Sequence, residues 1–134
     1  MVACLMALAA AGCNSPTSLS DNVTETLSGT VQPAMSDSKT FTVGNTGEIK
    51  VTLASLTPGG DATLAVAYGQ PSSGVCQIAN PQPLNGTYVG KTVFDFPIYV
   101  KGDYCIVTAD CSLFNASCPA LTVAQNYSYQ VSHP

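Results

Sequence analysis

The sequence predicts an all-β protein, a single antiparallel β-sandwich of about seven to eight short strands stapled by disulfides. Three observations support this fold class. Apolar and polar residues alternate with a period of two along most of the chain, as they do in half-buried strands. Clusters of Gly, Pro and Asn interrupt the alternation at the spacing typical of turns. No stretch shows the 3.6-residue periodicity of an amphipathic helix, and 134 residues leave room for one domain.

The predicted strands are joined by short turns, with two exceptions, one of which is the loop after residue 108 that holds Cys111 and Cys118. Residues 69–90 are predicted as a long loop, because they contain three prolines and a cysteine. The predicted strands, in chain order, are 24–31, 39–43, 48–53, 62–68, 92–100, 102–108 and 127–131. The residues predicted to face the core in the clearest strands are Ile49, Val51, Leu53, Leu64, Val66, Tyr68, Tyr104 and Ile106, with Cys105 on the opposite face.

The start of the chain carries a targeting signal. Residues 2–11 form an apolar run, which is shorter than the ~20 residues of a membrane-spanning helix but suits the apolar region of a signal peptide. The run closes on Ala10-Ala11-Gly12-Cys13, which resembles the lipobox of bacterial lipoproteins. The resemblance implies a diacylglycerol on the Cys13 thiol and removal of the residues before it. The segment departs from the pattern in lacking a Lys or Arg before the apolar run; the alternative interpretation is an apolar first strand or buried helix with an incidental cysteine.

The residues after Cys13 favour the lipoprotein interpretation. Residues 14–22 are polar and non-periodic, with too little apolar surface to fold, and are predicted as a flexible tether. Asn14, rather than Asp, follows the cysteine, and by the same resemblance this favours the outer membrane over the inner membrane of the bacterial cell envelope. The predicted organisation is a lipoprotein signal peptide (1–12), a lipidated cysteine with its tether (13–24) and a β-sandwich domain (25–134).

The six cysteines fit an exported protein. Export leads to an oxidising compartment, where thiols pair. With Cys4 in the removed segment and Cys13 lipidated, an even number remains, and three connectivities are open to them. The preferred pairing joins Cys111 to Cys118 across a short loop, which leaves Cys76 for Cys105. Zinc is not favoured, because close pairs such as C-x₂-C are missing from the sequence.

Three segments together resemble the bacterial pre-peptidase C-terminal domain family. They are 41–56, 102–107 and 127–134, and the resemblance covers about residues 27 to 134. It implies a small jelly-roll-like β-sandwich of a kind often appended to secreted proteases and also found alone. The 69–90 and 111–118 loops depart from the simplest pattern of the family.

Composition and residue types argue against several functions. The chain has no arginine and a net charge of −4, so it lacks the bidentate phosphate ligands and counterion release on which nucleic-acid binding depends. His133 is its only histidine and is predicted as an exposed polar terminus rather than a catalytic base. Asp61, Asp103 and Asp110 lie near strand ends and could supply oxygens to Ca²⁺, although turn and cap roles are the favoured interpretation. No cofactor is expected.

The sequence therefore predicts a non-catalytic, lipid-anchored accessory or interaction protein that meets the membrane through Cys13 and has a protein or glycan partner. The first alternative is a carbohydrate-binding module, with Tyr68, Tyr88 and Tyr99 stacking on sugar rings. Against it, tryptophan is missing, and Tyr68 is predicted to face the core together with most other tyrosines. The second alternative is a secreted enzyme.

Overall fold

The computed structural model describes residues 22–134; the predicted signal peptide and Cys13 lie outside this range. The described residues form nine strands and two single-turn 3₁₀ helices, Gly86–Tyr88 and Cys111–Leu113. The strands are β1 (Val23–Val31), β2 (Ser36–Val43), β3 (Gly47–Thr57), β4 (Thr63–Ser72), β5 (Val75–Ile78), β6 (Gln82–Asn85), β7 (Thr92–Ile98), β8 (Gly102–Asp110) and β9 (Gln125–His133). No helix within this part of the chain is long and apolar enough to cross a membrane.

The strands form two antiparallel sheets that pack as a β-sandwich, which confirms the predicted fold class. The four-stranded sheet has the order β1-β9-β3-β7, and the five-stranded sheet has the order β2-β8-β4-β5, with β6 also pairing with β4. The turn between β1 and β2 passes from one sheet to the other at one margin of the sandwich. At the opposite margin, β7 is the edge of the first sheet, and β5 and β6 form the edge of the second.

The core lies between the sheets and follows the predicted alternation. Ile49, Val51 and Leu53 on β3 are almost completely buried, and so are Leu64 and Val66 on β4. The core face of β9 carries two aromatic rings and an aliphatic residue: Tyr127, Tyr129 and Val131. Inward residues two apart on one strand pack on the facing sheet because side chains alternate between the two faces of a strand.

The predicted loop over residues 69–90 is wrong. Here β4 continues to Ser72, and Ser73 and Gly74 make a two-residue turn with φ of 51° and 79° that leads into β5. Positive φ at both positions is the geometry of tight hairpin turns whose twist matches that of the strands. Pro83 is tolerated on β6 because this strand lies at a sheet edge, where a missing N–H leaves no neighbouring strand unpaired. The extra strands raise the count above the predicted seven to eight.

The ends of the domain also differ from the prediction. β1 begins at Val23, so the first two residues of the sandwich fall within the segment predicted as tether. His133 is 6% exposed rather than an exposed terminus, because β9 is a central strand between β1 and β3. The carbonyl of Pro134 accepts hydrogen bonds from the backbone N–H groups of Gly44 and Asn45, at 3.1 and 3.4 Å. The C-terminal strand is therefore held on both sides.

Candidate functional site

A groove of about 630 Å³ lies at the open margin of the sandwich. We call it the edge groove. One wall comes from β4, β5 and the segment that follows β5, and the other from β7 and residues 99–100. Its lining residues are Tyr68, Gly69, Gln70, Gln77, Ala79, Asn80, Gln82, Phe94, Phe96, Pro97, Ile98, Tyr99, Val100 and Tyr104.

Three aromatic rings form the inner surface of the edge groove. Tyr68 points from β4 toward the interior and stacks on Phe96 of β7, with ring centroids 4.0 Å apart and an angle of 14° between the planes. Phe94, two residues earlier on β7, makes a T-shaped contact with Tyr68, with ring centroids 5.0 Å apart and an angle of 71° between the planes. Tyr68 was predicted to face the core, and its orientation follows that prediction, but its position at the margin leaves it 37% exposed. The groove thus opens onto one end of the core.

The rim of the edge groove carries an exposed tyrosine. Tyr99 is 80% exposed and lies in the turn between β7 and β8. A side chain of the neighbouring strand fixes this turn: the hydroxyl of Tyr104 on β8 donates a hydrogen bond to the carbonyl of Val100 at 2.8 Å. Tyr99 is therefore presented by a fixed backbone rather than by packing of its own ring.

Four carboxamide side chains lie on the other wall. Gln70 and Gln77 are opposite each other in the β4–β5 register. Asn80 follows in the segment between β5 and β6, and Gln82 is the first residue of β6. All four are exposed, and none of the four carboxamides hydrogen-bonds to another residue within 22–134. Each carboxamide offers both donors and an acceptor. The described lining residues include no Asp, Glu, Lys, Arg or His, so the groove is polar without being charged.

The β4–β5 wall is fixed by a disulfide. Cys76 of β5 is bonded to Cys105 of β8, with 6.0 Å between their Cα atoms, which confirms the predicted pairing. The bridge passes beside Gly69, where a Cβ atom would overlap the carbonyl group of Gln77. Only glycine allows so close an approach of the two backbones. The hairpin therefore folds tightly against the sheet and keeps its glutamines at the groove.

The second disulfide lies away from the edge groove. Cys111 and Cys118 are bonded as predicted, with 5.7 Å between their Cα atoms, and close the short loop after β8. Phe114 in this loop is 47% exposed. The loop contributes to a separate cavity of about 340 Å³ next to Pro81 and Pro83.

Of the three tyrosines predicted to stack on sugar rings, the structure brings two together. Tyr68 and Tyr99 both line the edge groove, whereas Tyr88 lies in a 3₁₀ helix outside it. The ammonium group of Lys91 is 6.0 Å from the centroid of the Tyr88 ring, at the distance limit of a cation–π contact. The sequence analysis did not identify Phe96 or the carboxamides. In the sequence, Phe96 stands out only because it lies two residues after Phe94, and this alternation predicts a strand but not a binding site.

The three candidate calcium ligands do not meet. Asp103 and Asp110 lie at opposite ends of β8, roughly 23 Å apart at the rise of an extended strand, and Asp61 is exposed in the turn before β4. The described residues form no group of three or more His, Cys, Asp or Glu that could hold a metal. Asp103 instead accepts a hydrogen bond from the Thr42 hydroxyl at 2.6 Å.

Asp110 has a structural role at the end of β8. Its carboxylate is fully buried. One oxygen accepts from the backbone N–H groups of Ala34 and Leu121, at 2.9 and 3.1 Å. The other accepts from the N–H and the hydroxyl of Ser112, at 3.0 and 2.8 Å. Burial raises the pKa of this carboxyl, but the hydrogen bonds outweigh burial and hold the pKa below its ordinary value.

His133 also has a structural role. Its Nε2 is 2.8 Å from a carboxylate oxygen of Glu25 on β1, and its ring lies 5.4 Å from that of Phe41. Within the described residues, its Nδ1 is buried without a hydrogen-bond partner. No serine hydroxyl in the described part of the chain hydrogen-bonds to the ring, and His133 does not line the edge groove.

In comparisons with known proteins, no family model and no curated protein sequence matches this chain.

Proposed function

We propose that this chain is a non-catalytic binding protein of the bacterial cell envelope, anchored through a lipid on Cys13, whose β-sandwich engages its partner at the edge groove. The observation that carries the binding role is the edge groove itself. It is an open site of about 630 Å³ with exposed aromatic and carboxamide groups on a disulfide-stapled domain. Its size falls within the roughly 300–1,000 Å³ typical of ligand sites.

The chemistry of the lining supports binding rather than catalysis. Apart from the tyrosines, the lining residues among 22–134 offer no nucleophile and no carboxylate or imidazole base. A hydrolytic reaction on a sugar would need two carboxylates across the cleft. The groups that are present can orient and hold a ligand but cannot readily transfer its protons.

Two features support an exported, anchored protein. The domain contains two disulfides, and disulfides form and persist in oxidising compartments. The sandwich begins at Val23, so residues 14–22 could separate the lipid from the domain by at most about 30 Å when extended. The diacylglycerol would supply two acyl chains, and two chains give stable anchoring where a single chain binds only marginally. The relationship to pre-peptidase C-terminal domains stays a prediction.

The anchor is tested by expressing the full chain in a bacterium with radiolabelled palmitate. We expect label on the protein, loss of the label in Cys13→Ser, and recovery of the protein with the outer-membrane fraction. Cys4→Ser is the matched control, because it removes a thiol only nine residues away that should leave with the signal peptide. Label that persists in Cys13→Ser, or label that is lost only in Cys4→Ser, would contradict the anchor.

A further inference from the structure

We propose that the edge groove binds an uncharged oligosaccharide, with one sugar ring on the face of Tyr99 and the chain lying toward the Tyr68–Phe96 stack. This inference rests on the proposed binding function and names its ligand class.

The aromatic groups supply the first argument. Tyr99 is 80% exposed on a fixed turn, so its ring contributes little to the stability of the folded chain. An aromatic ring buries a large area and carries a polar hydroxyl at one end. Such a surface matches a sugar ring, which has an apolar C–H face and a hydroxylated perimeter. Tyr68, stacked on Phe96 and 37% exposed, offers a second surface of the same kind deeper in the groove.

The carboxamides supply the second argument. Sugar hydroxyls both donate and accept hydrogen bonds, and a carboxamide can accept through its oxygen and donate through its NH₂ group. Gln70, Gln77, Asn80 and Gln82 concentrate four such groups on one wall, opposite the aromatic wall. Their hydrogen-bonding capacity is not used by other side chains or backbone groups within residues 22–134, so binding would not require breaking an internal network.

The described lining residues carry no charged side chain, and this favours neutral sugars over anionic sugars as ligands. A sulfated or uronic-acid chain would leave its anionic groups without a cation in the groove, and taking an unpaired charge out of water is costly. The ligand that fits is therefore neutral.

A peptide partner fits less well. An extended peptide adds to a sheet by pairing with an exposed edge strand. The edge strands at this groove are β7 and β5, and β5 is only 4 residues long, which offers little backbone for pairing. Pro97 on β7 has no N–H to donate, and Asp95 places a charge on the same strand. Both features are among those that protect sheet edges from pairing.

The test uses the full-length, detergent-purified lipoprotein on an array of immobilised oligosaccharides. The array carries neutral glucan, xylan, mannan and galactan fragments beside uronic-acid and sulfated fragments. Neutral fragments that are retained are then titrated in solution against the wild type and three variants. We expect retention of one or more neutral fragments. Tyr99→Ala should weaken binding about three- to tenfold, the effect of losing one aromatic contact, and Gln77→Ala should weaken it by a similar factor.

Tyr88→Ala is the control, because it removes an exposed tyrosine (39% exposed, against 80% for Tyr99) that lies outside the groove, and it should leave the affinity unchanged. The proposal is overturned if no neutral fragment is retained, if only anionic fragments are retained, or if Tyr88→Ala weakens binding as much as Tyr99→Ala. Capture of a protein that depends on Tyr99, without any glycan retention, would overturn the glycan assignment alone. Palmitate labelling of the same preparation tests the anchor separately.

Discussion

Replacement of Asp110 by Asn should destabilise the fold far more than a one-atom change suggests. The carboxylate accepts four hydrogen bonds from Ala34, Ser112 and Leu121 and thereby joins the β1–β2 turn, the end of β8 and the segment before β9. A carboxamide keeps only one of the two oxygens. In its better orientation the NH₂ group faces Ser112, whose hydroxyl can turn to accept from it, while the part-buried Ser112 N–H loses its acceptor.

The expected cost follows from these contacts. A buried donor without a partner costs about 1–3 kcal/mol. The N–H groups of Ala34 and Leu121 keep an acceptor, but it is no longer charged, and each of these two hydrogen bonds is weakened by at most roughly 1 kcal/mol. We therefore expect Asp110→Asn to lower the free energy of unfolding by about 1–5 kcal/mol at pH 7. Against a typical total of about 5–15 kcal/mol, this is a large fraction. Urea denaturation with the disulfides intact measures it.

The pH dependence gives a second readout. Because the folded-state pKa of Asp110 is depressed, its contribution is fully present above the unfolded-state value near ~3.9 and is lost as pH falls through the folded-state value. The gap between wild type and Asp110→Asn should therefore be constant from pH 7 to about pH 5 and narrow below about pH 4. Other carboxylates titrate in both proteins and cancel in the difference.

Asp103→Asn is the control on the same strand. Asp103 is exposed and accepts one hydrogen bond from Thr42, which the Asn oxygen can also accept, so its effect should stay within about 0.5 kcal/mol. The reasoning is refuted if the two variants are equally stable at pH 7, or if the Asp110→Asn gap widens at acid pH.

The other predictions concern the groove wall and the network between the sheets. The double variant Cys76→Ser/Cys105→Ser should lose about 3–4 kcal/mol in urea denaturation, because the bridge spans 29 positions; an unchanged midpoint would contradict this. Gly69→Ala should cost about 1–3 kcal/mol by the same measurement, because a Cβ overlaps the backbone of β5, and wild-type stability would show that the hairpin can shift. Tyr127→Phe should cost about 1 kcal/mol, because its hydroxyl donates to Asp37 at 3.0 Å; a more stable variant would be evidence against this bond.

The site was harder to predict than the strands. Tyr68 was correctly predicted to lie on an inward face, but inward residues at a sheet margin are indistinguishable in sequence from those at its centre. The groove that Tyr68 shares with Phe94 exists because β7 and β5 are edge strands on the same side of the sandwich. Strand order depends on pairings between distant segments, and local alternation carries no information about it. The burial of His133 was missed for the same reason, since it depends on β9 lying between β1 and β3.

By itself, the sequence determined the β-sandwich class and the inward face of strands such as β3, and it favoured one pairing of the four cysteines in the domain without excluding the other two. The fold class and the inward faces follow from a local rule, because side chains two apart share a face of a strand. The pairing Cys76–Cys105 with Cys111–Cys118 is one of the three that four cysteines allow, and the structure decided it. Only the tertiary structure decided that residues 69–90 contain strands, that Asp110 ties three segments together and that Tyr68 and Tyr99 share one groove. Each of these depends on contacts between residues far apart in the chain, and such contacts are set by the packing of the whole domain.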